Sequence, residues 1–234
     1  MYLPKQGFIH TKSNILSPYK KYAIIIQKDY VYLNHDSLFI LRKVMEEKKE
    51  RLLEAALEVF SDVGYHNAKI SKIAEIAGIG AGSVYLYFEN KENILEEIFK
   101  QLWTRLEKKL EYLCQASDMN AKQKFSELIH DITLFAFERK EMAKIVLHEY
   151  RFWRLATSAS LAGSVRKTKN MIADIIREGI NTGIFRNDMN PDNLTNFLFG
   201  GIWYFLAEKS GSLMKDTIDT VTKEIEMIIF DGMC

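Results

Sequence analysis

After residue 44, apolar residues recur along most of the chain at three- and four-residue spacing, the period of amphipathic helices. Leu53, Ala56, Leu57 and Phe60 line one face of a first helix, which Gly64 is expected to end. Ile70, Ile73, Ala74 and Ala77 make a second, shorter apolar face. Gly78 follows where a left-handed turn is needed, a conformation glycine adopts without a Cβ clash. Ile79 then turns inward, and Ala81 to Phe88 reads as a third helix carrying Val84, Tyr85, Tyr87 and Phe88. Two helices crossed through a short glycine turn form a helix-turn-helix, whose second helix enters a DNA major groove.

The helical period continues downstream. Asn90 is placed to cap a helix from Lys91 to about Leu113, with Ile94, Leu95, Ile98, Leu102 and Leu106 on its buried side. Gln115 to Asn120 is a polar break, and Ala121 to Glu138 brings Phe125, Leu128, Ile129, Ile132 and Phe135 onto one face. Further helices are expected near Glu141 to Leu155 and over Ser160 to Thr182, the latter ending at Gly183. Asn190-Pro191 opens the next, with proline in the first turn where its missing amide costs nothing. That helix carries one stripe of Leu194, Phe197, Leu198, Gly201, Ile202 and Phe205 and another of Phe199, Trp203 and Leu206. A helix apolar on two sides must be buried on two sides. Together with Ile218, Val221, Ile225, Ile228 and Ile229 of the last helix, it is expected to pair with a twofold mate in a homodimer, the alternative being that both helices simply complete the core of one chain. Such a dimer holds its recognition helices about 34–36 Å apart, the spacing of half-sites one turn apart on a palindrome.

Residues 1–44 do not share this pattern. Tyr22 to Leu33 is strand-like, rich in Tyr and Ile. The segment holds seven basic and two acidic residues, a net of +5, and has no continuous apolar signal-peptide core. It reads as a leader upstream of a natural start at Met45, or as a disordered basic arm that lies along DNA and offsets an acidic head. That head, Met45 to Glu92, has six Lys or Arg against nine Asp or Glu, a net of −3. Because DNA affinity rests largely on neutralised phosphates, this balance predicts modest non-specific binding. Cys114 and Cys234 have no metal-ligand spacing and suit a reduced cytoplasmic setting. No stretch approaches the roughly twenty apolar residues of a membrane helix. No nucleophile-base pair occurs at a helical repeat, so an enzyme is not expected, and neither a cofactor nor a metal is implied.

Ala55, Ala56, Phe60, Gly64, Tyr65, Ile73, Ala74, Ala77, Gly78, Gly82, Tyr85, Tyr87, Phe88, Lys91 and Glu92 follow one another as in the amino-terminal domain of the TetR family of bacterial transcriptional regulators. The segment from about Met45 to Phe99 strongly resembles that domain, and REGINTGIFRNDMNPDNLTNFLFGGIW resembles part of many TetR-family ligand domains. The resemblance implies an all-α protein: a three-helix helix-turn-helix domain over 45–92 and a helical ligand-binding and dimerisation domain over 93–234. The family usually has Ser or Thr before its second helix; here Ala68 and Lys69 stand there, leaving Asn67 as the expected cap. Gly80 opens the recognition helix in place of the usual serine, at a cost of only a few tenths of a kcal/mol.

The exposed recognition positions Ala81, Gly82, Ser83 and Leu86 offer almost no donors for paired base contacts, which normally come from Arg, Lys, Asn or Gln. Thymine methyls read by Ala81 or Leu86, the Ser83 hydroxyl and DNA shape are expected to supply specificity. Tyr85, Tyr87, Lys72 and Lys91 are the expected phosphate contacts, Lys91 with the amides at its helix start.

Family members hold an apolar effector cavity. The candidate lining here is Trp103, Phe125, Ile129, Phe135, Leu147, Trp153, Phe185 and Trp203, with His130 and His148 as polar candidates. Arg151, Arg154, Arg166, Lys167 and Lys169 form a basic group suited to an anionic head. YLYFENKENIL looks closest to the fatty-acyl-CoA-responsive repressors of the family, implying a small apolar or amphipathic effector such as long-chain acyl-CoA. The expected function is a ligand-responsive, sequence-specific repressor of double-stranded DNA. The alternative is an architectural DNA-bound protein acting through a protein partner.

Overall fold

A computed structural model describes residues 25–27, 30–32, 35–146, 159–209 and 214–234. Side chains are not described at 25–27, 30–32, 35–37, 159–160 and 207. Among the described residues the fold is helical apart from one strand pair, in which β1 (Ile25–Gln27) pairs antiparallel with β2 (Tyr30–Tyr32). The strand-like reading of Tyr22 to Leu33 holds at the six residues described there. The helices are α1 (His35–Asn67), α2 (Ile70–Ala77), α3 (Ala81–Val84), α4 (Lys91–Gln115), α5 (Ala121–Glu138), α6 (described over residues 140–146), α7 (Ala159–Asn181), α8 (Pro191–Lys209) and α9 (Ile218–Met233). A 3-10 turn over Lys215–Thr217 leads into α9.

Two compact units result. One comprises the described residues of Met1–Ala56 with Lys69–Asn93, and the other Leu57–Ala68 with Ile94–Cys234. α1 begins at His35 rather than at Met45, and Leu41 is buried in this extension. Gly64 (φ 76°) interrupts the helical path near the end of α1, as its position predicts. Asn67 is not the cap of α2: its side-chain amide donates to the Val63 carbonyl at 3.0 Å. Lys69, which precedes α2, has extended backbone and makes no side-chain cap.

Other helix ends obey local chemistry. Asn90 Oδ1 accepts the Asn93 N–H at 2.9 Å, and Asn190 Oδ1 accepts those of Asp192 and Asn193 at 3.0 and 2.9 Å. The polar break before α5 contains a reciprocal cap: the Gln123 N–H donates to Asn120 Oδ1, and the Asn120 N–H to Gln123 Oε1. Gly183 (φ 71°) ends the α7 region, where the Ile184 and Phe185 amides both donate to the Gly179 carbonyl. α5 packs on α7 and α9, and α7 packs on α8. Arg105 of α4 meets Asp131 of α5, and Lys167 of α7 bridges Glu107 and Glu111 of α4.

Candidate DNA-recognition face and effector compartment

Within the first unit, the turn between α2 and α3 is built around Gly78 (φ 62°, ψ 39°). The Ile79 N–H reaches back to Ala74 O at 2.9 Å and the Gly78 N–H to Glu75 O at 3.0 Å, a left-handed closure of the α2 end. The Arg51 guanidinium donates to the Ala77 carbonyl. A positive group therefore sits at the negative end of α2, where the helix dipole favours it. A Cβ on Gly78 would come 2.7 Å from Arg51 Nη2, so the glycine serves both the backbone and this contact. Sequence reading missed Arg51, because its partner lies a full helix away.

α3 is shorter than the pattern predicts. The helix stops at Val84, whose carbonyl accepts both the Tyr87 N–H (2.9 Å) and the Phe88 N–H (3.0 Å), and tighter turns continue the path. Glycines at 80 and 82 weaken the helix at its start. Val84 and Phe88 are buried, while Ala81, Gly82, Tyr85 (59% exposed) and Leu86 (44% exposed) face outward. Ser83, Tyr87 and Lys91 are half-buried. Lys72 is exposed, but its ammonium pairs with Glu75 at 2.9 Å. Exposed pairs of this kind are worth at most about 1 kcal/mol, so a phosphate can replace the carboxylate. Lys69, exposed at the start of α2, is a further cation at an uncapped helix N-terminus.

In the second unit, the predicted effector lining separates into different environments. Trp103 of α4 stacks on Phe199 of α8, with centroids 5.5 Å apart and planes 18° apart, and Phe199 lies 6.3 Å from Trp203. The pattern had given Phe199 no effector role, although it joins the two tryptophans. Thr195, Phe199 and Trp203 form one four-residue row on α8. Lys169 of α7 places its ammonium 5.4 Å from the Phe199 ring and donates to Asn196 Oδ1 at 2.9 Å. Burial holds the Lys169 amine below the ordinary lysine range.

Phe125 and Phe185 belong elsewhere. Both contact Phe230 of α9 at 6.4 Å, and Phe185 lies so close to α7 that a Cβ on Gly179 would approach its ring to 2.1 Å. They form a packed cluster around the Phe230 ring. Phe135 lies beneath the Arg105 guanidinium at 4.5 Å, and Ile129 is fully buried. Leu147, Arg151 and Trp153, with His148 and Arg154, lie outside the described residues. His130 faces Asp219 at 3.8 Å on the surface. The basic group also divides. Hydrogen bonds donated to Glu111 and Glu107 hold the Lys167 ammonium above its ordinary range, and Arg166 is exposed.

The predicted dimer stripe likewise divides. Leu198, Ile202, Val221 and Ile225 are buried within the chain itself, because α8 packs on α7 and α9 on α5. Leu194 and Phe205 are half-buried, whereas Phe197 (76% exposed), Gly201 and Ile228 (71% exposed) face outward, as do Tyr204 and Met227. Among the described residues no helix is long and apolar enough to cross a membrane.

Residues 52–98 match the family described as "Bacterial regulatory proteins, tetR family", and residues 118–205 match the "Tetracyclin repressor-like, C-terminal domain". Together these matches span more than half of the chain. The fatty acid metabolism regulator protein of Bacillus subtilis (strain 168) is 28% identical over 160 residues, covering 68% of this chain and 82% of that protein. The transcriptional repressor KstR2 of Mycolicibacterium smegmatis is 25% identical over 161 residues, covering 67% and 76%. The crystal structure of FadR from Bacillus subtilis in complex with stearoyl-CoA matches with a TM-score of 0.65 at 24% identity, over 78% of this chain and 98% of that one. This last likeness is one of fold.

Proposed function

This chain belongs to the TetR family of bacterial transcriptional regulators, and from that premise we propose that it is a homodimeric repressor released from a palindromic operator by a long-chain acyl effector such as an acyl-CoA. It works in the cytoplasm, where the operator DNA lies. The observation that carries the DNA part is the outward face of Ala81, Gly82, Tyr85 and Leu86 on a turn held by Gly78 and Arg51. That face is small and uncharged. A Cβ on Gly82 would meet nothing within 4 Å, so the fold does not need this residue bare, and close approach to base edges accounts for it.

Ala81 and Leu86 read thymine methyls, and the Tyr85 hydroxyl, Lys72, Lys69 and the amides around Lys91 hold phosphates. Phe197 and Tyr204 on α8 and Met227 and Ile228 on α9 are exposed apolar residues, which supports an isologous four-helix interface. The acyl effector is supported by the stearoyl-CoA complex named for the Bacillus subtilis structure and by the aromatic compartment around Phe199. α4 runs unbroken from the recognition unit into that compartment, so a ligand that prefers one setting of α4 shifts the population able to bind DNA. The shift is limited to the ligand's differential affinity for the two states.

The test is binding of the full chain to its own upstream intergenic DNA at 50 and 200 mM salt, with and without oleoyl-CoA. Expected are tight binding that weakens with salt and is lost with oleoyl-CoA. Binding indifferent to oleoyl-CoA overturns the effector assignment, and absence of binding to that DNA overturns self-regulation from it.

A further inference from the structure

Within the second unit, the lysines of α5 and α7 differ in how their charge is matched. Lys124 of α5, only 4% exposed, donates to both carboxylate oxygens of Glu178 at 3.0 and 2.8 Å, so its charge is matched. Lys167, one residue from the compartment's own lysine, is matched by Glu107 and Glu111. Lys169 is not. Among the described residues its half-buried ammonium reaches no carboxylate, only the neutral Asn196 amide oxygen and the Phe199 ring.

Around it, further polar atoms await partners. Trp203 Nε1, Thr195 Oγ1 and Thr168 Oγ1 are buried and have no hydrogen-bond partner among the described residues. Thr195 and Trp203 share the α8 row with Phe199, and Thr168 precedes Lys169 on α7. Buried polar groups are normally satisfied by protein or by something bound. Several such groups beside stacked aromatic rings describe a site for a molecule with an apolar body and an anionic group.

We propose that Lys169 is the anion contact of the effector site: the apolar part of the ligand lies against Trp103, Phe199 and Trp203, and its anionic group pairs with the Lys169 ammonium. The proposal rests on the effector reading above and narrows it, because it excludes neutral apolar effectors. A fatty carboxylate and a phosphate of acyl-CoA share the required chemistry.

The experiment is calorimetric titration of the full chain with decanoate, decanoyl-CoA and 1-decanol, each below its micellar concentration. Lys169→Met keeps the stem and removes the charge, while Lys169→Arg keeps the charge. Expected is a loss on the order of tenfold or more for at least one anion in K169M, retention in K169R, and no change for whatever binding decanol shows. Loss for decanoate alone identifies a carboxylate, and loss for decanoyl-CoA alone identifies a CoA phosphate. Equal loss for decanol and the anions, or no loss at all, overturns the proposal while leaving the effector reading standing. Failure of the parent chain to bind either anion overturns the proposal, while the oleoyl-CoA experiment above decides the effector reading. Matching thermal melts of the three proteins separate these outcomes from a folding defect.

Discussion

The second unit contains two aromatic clusters that look alike in composition and differ in everything around them. Around the Phe125–Phe185–Phe230 cluster, several polar groups are paired. The Arg186 N–H donates to the Met233 carbonyl at 2.8 Å, the Phe185 N–H to Gly179, and Lys124 to Glu178. The ring of Phe185 fills the space a Cβ at Gly179 would need. Around Trp103, Phe199 and Trp203, by contrast, a half-buried lysine lacks a carboxylate, and the Trp203 N–H and two threonine hydroxyls lack partners among the described residues. Aromatic content marks neither a core nor a site; the state of the polar groups beside it does.

The largest test of this contrast is Phe230→Ala. It removes the ring that Phe125 and Phe185 both contact and should cost about 3–5 kcal/mol in urea unfolding. If this cluster is core alone, effector affinity of the folded fraction stays unchanged. Gly179→Ala comes next, since its Cβ forces the Phe185 ring to move. A loss of about 1–3 kcal/mol is expected, with much of it recovered in the double variant Gly179→Ala/Phe185→Leu. An additive double variant would show that the contact is not the cause. The smallest effect separates the other cluster. Trp203→Phe deletes a buried donor without a described partner, so unfolding stability should hold or rise by up to about 1 kcal/mol while effector binding weakens. A large loss of stability there would make Trp203 an ordinary core residue.

Much of the architecture was legible because its signals are local. Gly78, Gly183, Asn90 and Asn190-Pro191 each act on amides or carbonyls within one turn of chain. Of the recognition positions read as exposed, Ala81, Gly82 and Leu86 do face outward, while Ser83 is half-buried beside Val84 and Tyr85 takes its place on the outer face. The length of α3 was less legible, since a helical pattern persists where the hydrogen bonds have already tightened. α8 was harder still: with apolar residues on both sides, its period alone does not say which side faces α7.

The sequence by itself determined the helical fold, the glycine turn and the family. Each of these rests on contacts between near neighbours or on spacing within a single helix. Only the tertiary structure decided that Arg51 closes the end of α2, that Phe185 stacks on Phe230 of α9, and that Phe197 and Ile228 face outward while Leu198 and Ile225 do not. These outcomes depend on which distant helix supplies the partner, and a chain pattern carries apolarity and charge but not the identity of what packs against it.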